Sequence, residues 1–182
     1  DESAVLIFLG ADYMTFTKGL NEFYRFFTCG LLHGSIIHFI SNMYSLYVIG
    51  KMTEYRFGHI KTLVTIIICT IIGSLCQSIL NENTILIGIS GALYGLITLS
   101  LLDLYNNKML NFASLIPLIV VNLLINFMSR TAWIAHLGGM IAGYLIYLIF
   151  TKEKKINYIV LLAIMILSLL IKYLTINKIS PF

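Results

Sequence analysis

Ser90 and His136 are two side chains of this sequence whose types and setting could do covalent chemistry. Ser90 stands in Gly88-Ile89-Ser90-Gly91-Ala92-Leu93-Tyr94-Gly95, and His136 opens His136-Leu137-Gly138-Gly139-Met140-Ile141-Ala142-Gly143. A hydroxyl beside an imidazole makes a nucleophile and its general base. His38 and Asn42 are four apart and share one helix face. Both can add side-chain donors to an oxyanion formed at Ser90. Tyr94 follows Ser90 by four residues, on the same face, where its ring can pack against His136. Each residue also has an ordinary reading. A serine within a span commonly bonds back to its own helix. Paired glycines in membrane helices commonly serve packing alone. His33 can cap or bond a loop, and Tyr94 can be plain packing. Asn122 and Asn126 fit interhelical hydrogen bonding better than a site.

The elements that must position these residues are membrane spans. Of 182 residues, 59% are apolar or aromatic and only 11% charged. Soluble domains carry about 25% charged residues. Mean hydropathy is +0.92. That excludes an ordinary soluble domain, a disordered chain and a disulfide scaffold. Six apolar stretches approach the length of a span, at about 31–50, 62–80, 85–102, 109–128, 131–150 and 156–176. Residues such as Ile66-Ile67-Ile68 do not alternate as barrel strands do, so the spans are helices. The fold class expected is all-α, a polytopic helical bundle in a lipid bilayer. Cys69 and Cys76 lie inside one span and read as small apolar fillers.

Loop charges set the orientation. Lys51, Arg56 and Lys61 follow the first span, Lys108 the third, and Lys152, Lys154 and Lys155 the fifth. These loops are expected on the cytoplasmic side, with residues 1–30 outside. The net charge of +4 is therefore topological and not a nucleic-acid footprint. In this orientation His33, His38, Ser90 and His136 all fall at one level, a little below the outer surface. No Asp or Glu lies at that level within the spans, so a serine hydrolase here works as a Ser–His dyad. Ser90 also lies near a helix N-terminus, where free N–H groups favour a developing anion. Gly91 with Gly95, and Gly139 with Gly143, form two stripes of small residues. They let the third and fifth spans approach backbone to backbone. A metal or transport site built on His33, His38 and His136 lacks a completing carboxylate or thiol, and no H-E-x-x-H occurs.

From about Leu9 to Phe150 the chain resembles the rhomboid intramembrane serine proteases. Gly88-x-Ser90-Gly91-x-x-Tyr94-Gly95 is similar to the family's nucleophile motif. Ala135-His136-x-x-Gly139-x-x-x-Gly143 is similar to its base motif. His33-x-x-x-x-His38-x-x-x-Asn42 resembles the segment that begins its second helix, and Glu54 with Gly58 resembles an acidic turn at that helix's far end. The resemblance implies a peptidase that cleaves other membrane proteins near the outer face without metal or cofactor. It implies Ser90 as nucleophile and His136 as base and acid. His38, Asn42 and the Ser90 amide would hold the oxyanion. Gly88 would give room beside the site and Tyr94 would support the His136 ring, with His33 and Gly91 as further supports.

Two departures accompany the resemblance. Tyr24-Arg25 stands where the family's outer loop carries Trp-Arg. The family's first helix has no counterpart, so residues 1–30 match the large outer loop, 31–150 a core of five spans, and 151–182 a basic loop and an added helix. The expected partners are transmembrane protein substrates and lipid, with no oligomeric state implied. The rival from another class is a catalytically inactive member that binds membrane clients. Abundant Ile, Asn and Lys suggest an AT-rich genome, and the expected location is a bacterial plasma membrane.

Overall fold

The computed structural model describes residues 2–108, 113, 116 and 132–151. They are helical, apart from connecting turns and one isolated bridge. Three short helices come first: α1 (Glu2–Phe8), α2 (Met14–Gly19) and α3 (Arg25–Thr28), the last running into a 3₁₀ turn at Cys29–Leu31. Four long ones follow: α4 (Ile36–Phe57), α5 (His59–Leu80), α6 (Ser90–Asn106) and α7 (Trp133–Phe150). Among the described helices, α5 and α7 are long and apolar enough to cross a membrane. The expected spans at 109–128 and 156–176 lie outside the described residues. So do Asn122, Asn126 and the basic loop at 152–155. The chain divides into two compact units, Asp1–Ile146 and Tyr147–Phe182. The packing below belongs to the first.

The first span both starts and ends later than its apolar stretch at 31–50 suggests. Ser35 caps α4, accepting the His38 N–H at 3.1 Å, so the helix opens after His33 and not before it. It then runs on through Lys51, Glu54 and Arg56, which were expected in a loop. Charged long-chain residues are good helix formers, and the helix ends only at Gly58, whose φ is +85°. Gly58 is the whole connection, because α5 begins at His59. His59 pairs with the Glu54 carboxylate across that turn. The third span also starts late. Residues 85–89 are not helical, and α6 begins at Ser90 itself.

Helices α4 and α6 run side by side in the same direction. Ile49 packs with Leu96 and Ile97. One turn further on, the Thr53 and Ser100 hydroxyls meet at 2.9 Å, both buried. At the far end Arg56 donates to both Asp103 carboxylate oxygens, at 2.6 and 3.1 Å. Helices α5, α6 and α7 meet through glycines. A Cβ on Gly139 would lie 2.7 Å from the Gly91 carbonyl carbon, and one on Gly143 2.7 Å from that of Gly95. A Cβ on Gly73 of α5 would lie 2.7 Å from the Ala135 carbonyl oxygen. Cys69 packs fully buried against Gly95, as a small filler does.

Residues 2–31, most of them within the expected outer loop at 1–30, fold onto this bundle. Arg25 is buried and donates to the Ala11 carbonyl at 3.0 Å, and also to the Ile7 carbonyl and the Glu22 carboxylate. Asp12 is fully buried. Its carboxylate accepts from the Thr17 hydroxyl at 2.7 Å and from the Ser78 hydroxyl on α5. Its backbone pairs in both directions with Leu86, at 3.1 and 2.8 Å.

Two predictions follow from this packing. Gly139→Ala forces a methyl into the Gly91 backbone and should cost about 1–3 kcal/mol. Gly19→Ala, with nothing within 4 Å of its added Cβ, should be neutral. Denaturant unfolding of the two variants in detergent or lipid discs compares them. The second prediction concerns Asp12. Burial pushes its carboxyl above the ordinary value, opposed by the Ser78 and Thr17 hydroxyls and the Arg25 charge. The folded chain thus holds this proton more tightly than the unfolded chain. That stabilisation is complete below the ordinary carboxylate range and is lost as pH rises through the folded value. Asp12→Asn stays neutral throughout. The variant's melting temperature relative to the parent's should climb as pH is raised from about 4 to about 8.

Candidate active site

The late start of α6 decides the site's geometry. Ser90 is the first residue of that helix, and His136 is the fourth of α7. Ser90 therefore sits among the helix amides that have no partner within the helix. The glycine contacts draw α6 and α7 together just beneath both residues. Ser90 Oγ lies 2.8 Å from His136 Nε2. This is the hydrogen bond a nucleophile and its base require. The hydroxyl's bond to this imidazole sets it apart from a serine that only serves its own helix.

His136 is buried, and its ring stacks on Tyr94 with centroids 4.5 Å apart and planes inclined by 26°. The three ion pairs found among the described residues involve Arg25, Arg56 and His59, and none reaches His136. The Tyr94 ring face packs against the imidazole, and the Ser90 hydroxyl meets its Nε2. The segment before Ser90 is not helical, and Gly88 within it takes a φ of +102°, a region that favours glycine. A Cβ there would lie 2.8 Å from His38 Cε1 and 3.5 Å from Asn42 Nδ2. The structure thus brings His38 and Asn42, from one face of α4, against the backbone that leads into Ser90. Asn42 is buried, and its Nδ2 has no hydrogen-bond partner. A buried unpaired amide is costly, and this one is available to an incoming oxygen.

His33 lies off the helix, contrary to its expected place in the first span. Its ring stands edge-on to His38 with centroids 5.0 Å apart, and its Nε2 is buried without a partner. Gly91 lies below Ser90, where it meets α7. Several neighbours of the site were not picked out from sequence. A cavity of about 10 Å³, the room one water needs, opens beside Ser90. Among its lining residues are Cys29, Thr70 and Ser74. The Gly88 N–H donates to the Cys29 carbonyl at 2.9 Å. A signal existed for the hydroxyls, since Thr70, Ser74 and Ser78 recur every four residues along the second span.

Comparison with known proteins decides the family. The model of the rhomboid domain matches residues 20–153. The chain belongs to the rhomboid family. It is accordingly an integral membrane protein with the family's polytopic helical fold. RHOMBOID-like protein 1 of Arabidopsis thaliana is 33% identical over 156 residues, covering 82% of this chain and 40% of that protein. RHOMBOID-like protein 5 of the same plant is 33% identical over 146 residues, covering 76% of this chain and 47% of its own length. The inactive RHOMBOID-like protein 8, again from Arabidopsis thaliana, is 33% identical over 128 residues, covering 67% and 36%. The chain thus spans less than half the length of these relatives. All three are plant proteins, so the bacterial membrane expected from composition has no support in them.

The rhomboid domain's tight fit at Gly88 gives a further prediction. Gly88→Ala puts a side chain into a positive-φ position and onto the His38 ring. The substitution should lower stability by about 1–3 kcal/mol, read by thermal unfolding against the parent.

Proposed function

We propose that this rhomboid domain is the catalytic part of a serine endopeptidase that cuts transmembrane proteins near the outer end of their spans. The observation that carries the reading is the Ser90 Oγ to His136 Nε2 distance of 2.8 Å at the start of α6. Nε2 takes the proton as Oγ attacks the scissile carbonyl carbon. The negative charge then developing on the carbonyl oxygen is met by the Ser90 amide, by Asn42 Nδ2 and by His38. Each such donor is worth about 10²–10³ in rate. The tetrahedral intermediate collapses, His136 protonates the leaving amine, and an acyl ester remains on Ser90. A water then attacks the ester, with His136 again taking the proton. His136 gives it back to Ser90 as the acid product leaves.

A helical substrate has its carbonyls engaged, so its outer end must unwind before Ser90 can reach one. The half-buried Ser90 and the non-helical 85–89 segment suit a substrate that arrives unwound. No metal or cofactor enters the scheme. A second reading, a member that binds clients without cutting them, draws on the 33% identity to a relative that is named inactive. Such a protein has no need of the unpartnered Asn42 amide beside a hydrogen-bonded Ser–His pair.

The test is a cleavage assay in proteoliposomes with single-span substrates that carry helix-breaking residues at the outer end. The parent should release two fragments. Ser90→Ala and His136→Ala should release none, and Asn42→Ala should cut about 10²–10³ times more slowly. A folded parent that binds these substrates and leaves them intact favours the client-binding reading.

A further inference from the structure

Asp12 is the one fully buried carboxylate among the described residues, and no step of the proposed chemistry uses it. It is a junction between three separate parts of the chain. Through its side chain it accepts from Thr17 on α2 and from Ser78 in the last turn of α5. Through its backbone it pairs with Leu86, its N–H donating at 3.1 Å and its carbonyl accepting at 2.8 Å. Leu86 stands two residues before Gly88 and four before Ser90. Gly88 is in turn bonded to the Cys29 carbonyl at 2.9 Å. The 86–88 backbone is thus pinned at both ends by the outer segment, and Asp12 ties one of those pins to α5.

This bond pattern has a mechanical consequence. Residues 85–89 are neither helix nor sheet, so they have no ladder of their own to hold them. Their position relative to Ser90 is set by what grips them from outside. The Leu86 bridge is one grip, and it stays in place only while Asp12 does. Asp12 has no freedom to shift while Ser78 and Thr17 hold its two oxygens. The charged groups around it are few. Arg25 acts on the carboxylate from α3, and the Cys29 thiol feels its charge. Arg25 is itself bonded to the Ala11 carbonyl, one residue before Asp12.

We infer that Asp12 is a positioning residue of the active site, which fixes the 86–88 backbone beside Ser90 through Ser78, Thr17 and Leu86. This inference rests on the peptidase reading for its effect on rate, but not for its effect on the backbone. What the position needs is a group that satisfies two hydroxyls and holds the Leu86 bridge. A neutral amide of the same shape, with one acceptor and one donor, meets that need. A methyl does not.

The experiment has two readouts on the full chain in lipid discs. Hydrogen exchange is followed at the amides of Leu86 and Gly88, and the rate of labelling by a fluorophosphonate probe is followed in parallel. Asp12→Ala should speed exchange at those two amides while the centres of α5 and α6 stay protected. It should also slow labelling by roughly 10- to 100-fold, the effect of a displacement of about 1 Å. Asp12→Asn should restore both. Ser78→Ala, which removes one hydroxyl and leaves the carboxylate, should fall between. If Asp12→Ala unfolds the chain outright, the comparison of Ser78→Ala with Asp12→Asn decides in its place. Unchanged exchange at Leu86 and Gly88 in folded Asp12→Ala or Ser78→Ala overturns the inference. Loosened exchange with unchanged labelling also overturns it, because the backbone then has no hold on the site. A parent that takes no label is a failure of the peptidase reading instead, and the exchange readout still decides whether Asp12 holds the segment.

Discussion

The closeness of three helix backbones governs everything else in this molecule. Gly73, Gly91 and Gly139 leave no side chain between α5, α6 and α7, and Gly95 with Gly143 repeats the arrangement one turn deeper. Between membrane helices the hydrophobic effect gives little attraction, because lipid is as apolar as leucine. Close van der Waals contact between small residues supplies association instead. The same contact fixes how far apart Ser90 and His136 stand. One added methyl at Gly139 would push α6 from α7, and the 2.8 Å hydrogen bond above it would open.

A second constraint acts on α4. Its start bears on the site, where His38 and Asn42 reach Gly88. Its far end is fastened to α6 by the Thr53–Ser100 contact and the paired Arg56–Asp103 bonds. Arg56 is partly open to solvent, so this ion pair adds little net stability, but its two bonds to one carboxylate fix a geometry. Here it sets the register of α4 against the helix that begins with Ser90. The outer segment adds a third fixture through Arg25, Asp12 and Cys29. The site is thus held from three directions, which suits a reaction that depends on donors placed before the charge appears.

Much of this was legible in the sequence, for identifiable reasons. The depth match of Ser90 and His136 follows from span lengths and loop charges alone. The contact of Tyr94 with His136 follows from a spacing of four. The glycine pairs declare themselves because small residues at that spacing have few other uses in a span. Helix ends were less legible. Hydropathy marks where a helix is apolar, not where its hydrogen bonds stop, so α4 was cut short at its charged turns and extended backwards over His33. The cap at Ser35 and the break at Gly58 carried the correct ends. The folding of residues 2–31 was not legible at all. Its bonds run from side chains to distant carbonyls, as from Arg25 to Ala11 and from Thr28 to Gly10, and no local pattern announces them. Gly73 went unnoticed because it has no partner glycine on its own helix.

The most direct measurement is to treat the full-length protein in its membrane with a fluorophosphonate and locate the adduct by mass spectrometry. The Ser90–His136 pair predicts a single adduct on Ser90 that disappears in His136→Ala. An adduct on another serine, or none on folded protein, would contradict an activated nucleophile at the start of α6.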